Sequence, residues 1–183
     1  MQPPVHLELS ERERLLKLAT YASVCVALGL IALKSGVWVL SGSVSILASL
    51  IDSLMDSVAS IINLFAVRYA LKPADREHRF GHGKAEALAG LAQSAFITGS
   101  AVLVLLQGID HLFNPAPIGA TGLGIAVMVL SIAATLGLLA IQRHVIARTG
   151  STAIGADALH YRSDLLLNGS VIVALMLAAY GIT

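Results

Sequence analysis

The chain has 183 residues, 56% hydrophobic and 13% charged, with a formal net charge of +1 at pH 7 and a mean hydropathy of +0.81. This lies far outside the range of an ordinary soluble domain, and the confinement of charge to short stretches speaks for loops and spans, not for a nucleic-acid-binding surface. Charged residues cluster in short stretches between long uncharged ones, the pattern of loops and membrane spans, so the chain reads as an all-α, polytopic membrane helix bundle embedded in the lipid bilayer.

Residues 1–14 form a lead of mixed charge with no small-residue cleavage site, and residues 15–183 form the transmembrane domain. A span needs about 20 apolar residues. Five segments meet that length: 15–40, 44–71, 84–113, 118–141 and 152–182. The first carries Cys25, which has no partner for an intrachain disulfide and is assigned to packing. Near the end of this span, Lys34 is expected to extend its long side chain to the interface. The turn "SGS" at 41–43 leads into span two, which holds Asp52 and Asp56 one helical turn apart in an otherwise apolar run. A carboxylate at mid-bilayer costs roughly 2.5–3.5 kcal/mol on insertion scales, so both require compensation.

Spans two and three are joined by "KPADREHRFGHGKAEA", which contains Asp75, His78 and His82. These three could ligate a metal with an open position, although two histidines in a basic connection are ordinarily just part of a solvated loop. Gly90, Ser94 and Thr98 give span three a small-residue face suited to close packing in lipid, and "NPAP" at 114–117 separates spans three and four. Span five opens with "DALHYRSDLLLNG", whose Asp157, His160 and Asp164 share a helical face, with Arg162 on another. Asp110, His111 and His144 at span ends, and His6 in the lead, are assigned no role.

Basic residues flank the start of span one (Arg12, Arg14, Lys17), the second connection (Arg68, Lys72, Arg76, Arg79, Lys84) and the fourth (Arg143, Arg148). The positive-inside rule makes these sides and the N-terminus cytoplasmic. Five spans then leave the C-terminus outside, directly after the last span, as expected of a piece of a longer protein. At roughly 1.5 Å per residue, Asp52 and Asp56 lie about 17 and 10 Å from the inner edge, and His160 and Asp164 about 14 and 20 Å from it. Spans two and five can therefore bring three carboxylates and an imidazole to one level. Those are donors that Zn²⁺ takes, and bound metal would neutralise charges that otherwise repel. In its absence protons must replace it, which is the physical basis for exchanging a divalent cation against H⁺. A purely structural alternative has these groups hydrogen-bond between helices or pair with Arg162.

"DSLMD" at 52–56, "HYRSD" at 160–164 and "PADREHRFGHGKAEALA" at 73–89 together resemble the cation diffusion facilitator family, and the likeness runs over essentially the whole chain. The resemblance implies a transport site of Asp52, Asp56, His160 and Asp164, with His160, Asp52 and Asp164 coupling to protons, and a second metal site of Asp75, His78 and His82. Asp157 is not a ligand in the family pattern and is read as supporting the ligands or lining the pathway. The family likeness further implies a homodimer in the cytoplasmic (inner) membrane of a bacterium, exporting Zn²⁺ in exchange for protons by alternating access. Fe²⁺, Cd²⁺, Co²⁺ or Mn²⁺ could use the same donors. Family members of this type have six spans and then a cytoplasmic ferredoxin-like domain; five spans are expected here, and neither the sixth nor that domain. Two other readings stand beside the secondary transporter. One is a metal-binding fragment or assembly subunit without flux. The other is an intramembrane aspartyl protease, disfavoured because the two carboxylates nearest in sequence share one helix and no aspartate is flanked by glycine in the manner of such enzymes.

Overall fold

The computed structural model describes residues 8–113 and 122–179, with side chains omitted at 44, 107, 108, 110–112 and 170–179. "NPAP", the expected start of span four, the last residues of span five, His6 and the side chains of Asp110 and His111 lie outside the described residues. All regular structure among the described residues is helical: α1 (Leu9–Ser41), α2 (Val44–Ala70), α3 (Lys84–Phe113), α4 (Gly122–Thr149) and α5 (Thr152–Ala179).

Helix α1 begins at Leu9, inside the segment read as a lead. Its first turns are charged and paired: Arg148 of α4 donates to Glu11 at 2.9 Å, and Arg12 donates to Glu86 of α3 at 3.3 Å. These contacts hold the helix start against its neighbours, so α1 begins ahead of the apolar run. Gly42 ends α1 with φ +61, a left-handed conformation that glycine adopts at no steric cost, and donates its N–H to the Trp38 carbonyl at 2.8 Å. Helix α4 runs eight residues beyond the expected end at 141, and Gly150, at φ +63, stops it. Ser151 then caps α5, its hydroxyl accepting the Ile154 N–H at 3.2 Å.

The helices form a ring in the order α1, α2, α3, α5, α4 and back to α1, with α2 also touching α5 across the middle. The tightest packing lies at one end, where Leu16 and Ala19 of α1 meet Val67, Ala89, Val145, Ala153 and Ile154, one or two from each other helix. This is the end that carries the 71–83 and 150–151 connections. Small side chains there let backbones approach closely. At Gly90 an added Cβ would lie 3.6 Å from the Thr152 carbonyl oxygen and 3.9 Å from the Ala156 Cβ, so α3 and α5 are already in near contact. The expected packing role of Gly90 is met, whereas Ser94 and Thr98 are exposed and hydrogen-bond back to their own helix.

Large apolar residues such as Leu28, Phe65, Leu91 and Val129 are exposed, as a lipid-facing bundle requires. Cys25 also lies on that exposed surface, correcting its assignment to packing. Among the described residues, four helices qualify as membrane spans by length and hydropathy: α1, α2 from Ser45, α3 to Leu106, and α4. Helix α5 has the length but bears Asp157, Arg162 and Asp164 in its first half. Its packing between α3 and α4 seats it in the bundle, in keeping with the apolar sequence that follows Asp164.

Candidate metal centres

Where α2 crosses α5, His160 reaches Asp56: the imidazole Nε2 lies 3.0 Å from Asp56 Oδ1 and 3.5 Å from Asp164 Oδ2. One ligand atom from each of the three residues falls within 4.8 Å of the others. His160 is buried and both carboxylates are largely so, with the Phe96 ring in an edge-on arrangement, its centroid 5.6 Å from that of the imidazole. Asp164 Oδ2 is buried without a hydrogen bond, an acceptor facing a nitrogen that is already shared. Two carboxylate oxygens and one imidazole nitrogen, converging from two helices, are a donor set suited to Zn²⁺ and similar cations.

Beside this triad opens a cavity of about 430 Å³ lined by Lys34, Ser49, Asp52, Asp56, Phe96 and Asp164, among others. Asp52 stands on its wall, one turn from Asp56 and outside the tight three-residue set. Lys34 departs from its expected course to the interface. It is 8% exposed, and its ammonium donates to Ser53 Oγ at 2.6 Å and to the Ser49 carbonyl at 3.1 Å. Two acceptors on the facing helix and a carboxylate-lined cavity solvate the charge better than the apolar route outward along α1.

Asp157 is fully buried and stands outside the three-residue set. Its Oδ2 accepts from Ser23 of α1 at 2.9 Å and from Gln142 of α4 at 2.7 Å. Ser23, Ser60 of α2 and the Tyr161 hydroxyl are mutually linked at 2.9–3.3 Å. This network ties four helices together one turn from the triad. Ser23, Ser60, Gln142 and Tyr161 passed unnoticed in the sequence. Polar residues recurring inside α1 and α4 were the available signal, but nothing in the sequence paired them. Arg162 is exposed and forms no ion pair with the triad or Asp157 among the described residues.

The second cluster is built by a turn between α2 and α3. Asp75 Oδ1 accepts the backbone N–H groups of His78 at 2.6 Å and Glu77 at 3.0 Å, and lies 3.2 Å from His78 Nδ1. Asp75 Oδ2 is 3.4 Å from His82 Nε2. Gly81, at φ +79, reverses the chain so that His82 returns toward Asp75, its ring tilted against that of His78 at a centroid distance of 4.4 Å and edge-on to Tyr69 at 4.6 Å. His82 is buried while Asp75 and His78 are about half exposed, leaving a set of three donors open to solvent. The His78 backbone N–H is the chief cause that holds the Asp75 carboxyl below the usual carboxylate range, despite some opposing desolvation, with both imidazoles helping. His144 is exposed near the end of α4, outside both clusters.

The profile of the cation efflux transmembrane domain matches residues 20–183. A protein named cation-efflux pump FieF from Shewanella oneidensis is 53% identical over 174 residues, covering 95% of this chain and 59% of that protein. Proteins of the same name from Klebsiella pneumoniae and Pectobacterium carotovorum are 51% and 52% identical, covering 92% and 93% of this chain and 56% and 57% of their own lengths. The chain thus spans somewhat more than half the length of these relatives.

Proposed function

The chain belongs to the cation efflux family, and from that premise we propose that it carries the transport pathway of a bacterial inner-membrane exporter of divalent metal cations, with Zn²⁺ as the first candidate cargo and protons as the counter-ions. The observation that carries this reading is the convergence of Asp56, His160 and Asp164 beside a cavity that Asp52 also lines. Asp56, His160 and Asp164 hold the ion, and a rotation of Asp52 toward it supplies the fourth donor of a tetrahedral set. Fe²⁺, Cd²⁺, Co²⁺ and Mn²⁺ are alternative cargoes, the imidazole favouring zinc over manganese. The metal can enter only as protons leave the donors, and His160, Asp52 and Asp164 carry them on the return, His160 because an imidazole ordinarily titrates near neutrality.

By the positive-inside rule the basic 71–83 connection and the N-terminus face the cytoplasm, and the exchange proceeds by alternating access. Residues 15–183 make up the transmembrane unit, with 1–14 as its lead, and the working protein is a homodimer. Asp75, His78 and His82 form a second, solvent-facing metal site, and Asp157 supports the triad by fixing α5 against α1 and α4. An aspartyl protease would need two carboxyls sharing one proton; an imidazole standing between Asp56 and Asp164 does not suit that dyad.

The test is zinc flux into proteoliposomes holding the 183-residue chain, with and without an opposing pH gradient, beside Asp164→Ala. Gradient-driven flux that disappears in the variant supports exchange. Zinc binding without flux would instead favour a non-transporting, metal-binding fragment.

A further inference from the structure

Lys34 is the one basic side chain lining the cavity among the described residues. It lies seven residues from the end of α1, about 10 Å along the helix axis, and Asp52 lies about 12 Å from the start of α2, so the ammonium and the carboxylates share one level. Its two hydrogen bonds, to Ser53 Oγ and the Ser49 carbonyl, fix the charge on α2 between the loop and the metal donors. The carboxylates of Asp52, Asp56 and Asp164 line the same cavity as this ammonium.

We propose that Lys34 is a built-in counter-cation of the transport cavity, which lowers the affinity of the Asp56, His160 and Asp164 set for a divalent ion and so permits its release. The proposal rests on the transport reading of that set. Three carboxylates and one ammonium carry two net negative charges when the imidazole is neutral, the charge that one divalent cation cancels. Without the ammonium the same walls hold a third, uncompensated negative charge, and the ion sits in a deeper well. A carrier must bind its cargo and also let it go, so a fixed positive charge near the donors, though not among them, has a function that a further ligand would not. Ser53 and Ser49 keep the ammonium from swinging into the donor set and from leaving the cavity. Lys34 is therefore an affinity-setting residue rather than a ligand.

The experiment measures Zn²⁺ affinity, and Zn²⁺ release on adding a chelator, in a His82→Ala background that removes competition from the loop. Three variants are compared with that reference. Lys34→Gln keeps donors for Ser53 and Ser49 without the charge, Lys34→Met removes both, and Lys34→Arg keeps the charge. The proposal expects Lys34→Gln and Lys34→Met to bind Zn²⁺ roughly ten- to a hundredfold more tightly and to release it more slowly, with Lys34→Arg within about threefold of the reference. Structural damage would weaken binding, so a gain in affinity separates the two explanations. Unchanged or weaker binding in a folded Lys34→Gln overturns the proposal, as does a gain of equal size in Lys34→Arg. If only Lys34→Arg folds, Lys34 serves folding and the proposal is likewise overturned. A reference that binds no Zn²⁺, or whose binding survives Asp164→Ala, refutes the transport-site reading itself, an outcome distinct from any difference among the Lys34 variants.

Discussion

Asp164→Asn isolates the charge of one proposed ligand with almost no steric change. The Asp164 Oδ2 atom makes no hydrogen bond and lies 3.5 Å from His160 Nε2, so the amide breaks no network and leaves α5 in place. What changes is the balance around the ion, since one of the two carboxylates in the triad becomes a neutral amide. The bare attraction between a dication and a carboxylate oxygen in contact with it overstates the loss, because an ion entering the site sheds water that would stabilise it elsewhere. Removing one partner of a buried charge pair costs about 3–5 kcal/mol, which corresponds to a loss of affinity on the order of a hundred- to several-thousandfold. Titration with buffered free Zn²⁺ in a His82→Ala background reads this directly, with circular dichroism and thermal melting to establish that the fold is intact. Affinity within about threefold of the reference in a folded Asp164→Asn would refute the assignment of Asp164 as a ligand.

Gly90→Ala should leave stability unchanged or raise it by up to about 1 kcal/mol, since its Cβ makes only ordinary contacts, whereas Gly90→Leu should destabilise by about 1–3 kcal/mol by driving α3 from α5; thermal melts compare them. Asp157→Ala strands the Gln142 amide, which should lower stability by about 1–3 kcal/mol, while Zn²⁺ affinity stays within about threefold because the triad keeps its three donors; a large loss of affinity at unchanged stability would make Asp157 a ligand instead. In the loop, the Asp75 carboxyl is held below its unfolded-state value, so its contribution to stability is complete above that value and vanishes as pH falls through the folded one. The difference in melting temperature between the protein and Asp75→Asn should therefore be present at about pH 5 and shrink below about pH 4; a difference undiminished at about pH 2 would contradict the hydrogen bonding described.

The membrane bundle and the triad were legible in the sequence because each follows from one-dimensional periodicity. Apolar length marks spans, and spacings of three and four set side chains on one helical face. Depth counted from the span ends was enough to bring Asp56 level with His160, and they meet at 3.0 Å. Helix boundaries were less legible, because the charged residues at 9–14 read as a lead and those at 142–149 as a connection until Arg12, Glu11 and Arg148 are seen to pair across helices. The destinations of Lys34 and Asp157 were decided only by tertiary structure. Periodicity gives the face on which a side chain stands but not which neighbour that face meets. Asp157 shares a face with His160, yet that face spans a groove in which one residue meets α1 and α4 and the other meets α2. Lys34 likewise could reach lipid headgroups or the cavity, and the choice fell to acceptors on α2, Ser49 and Ser53, that lie far from it in sequence. The sequence by itself determined which charges enter the membrane; the packing of five helices decided which of them face one another, since the energy of a buried charge depends on partners that no single helix contains.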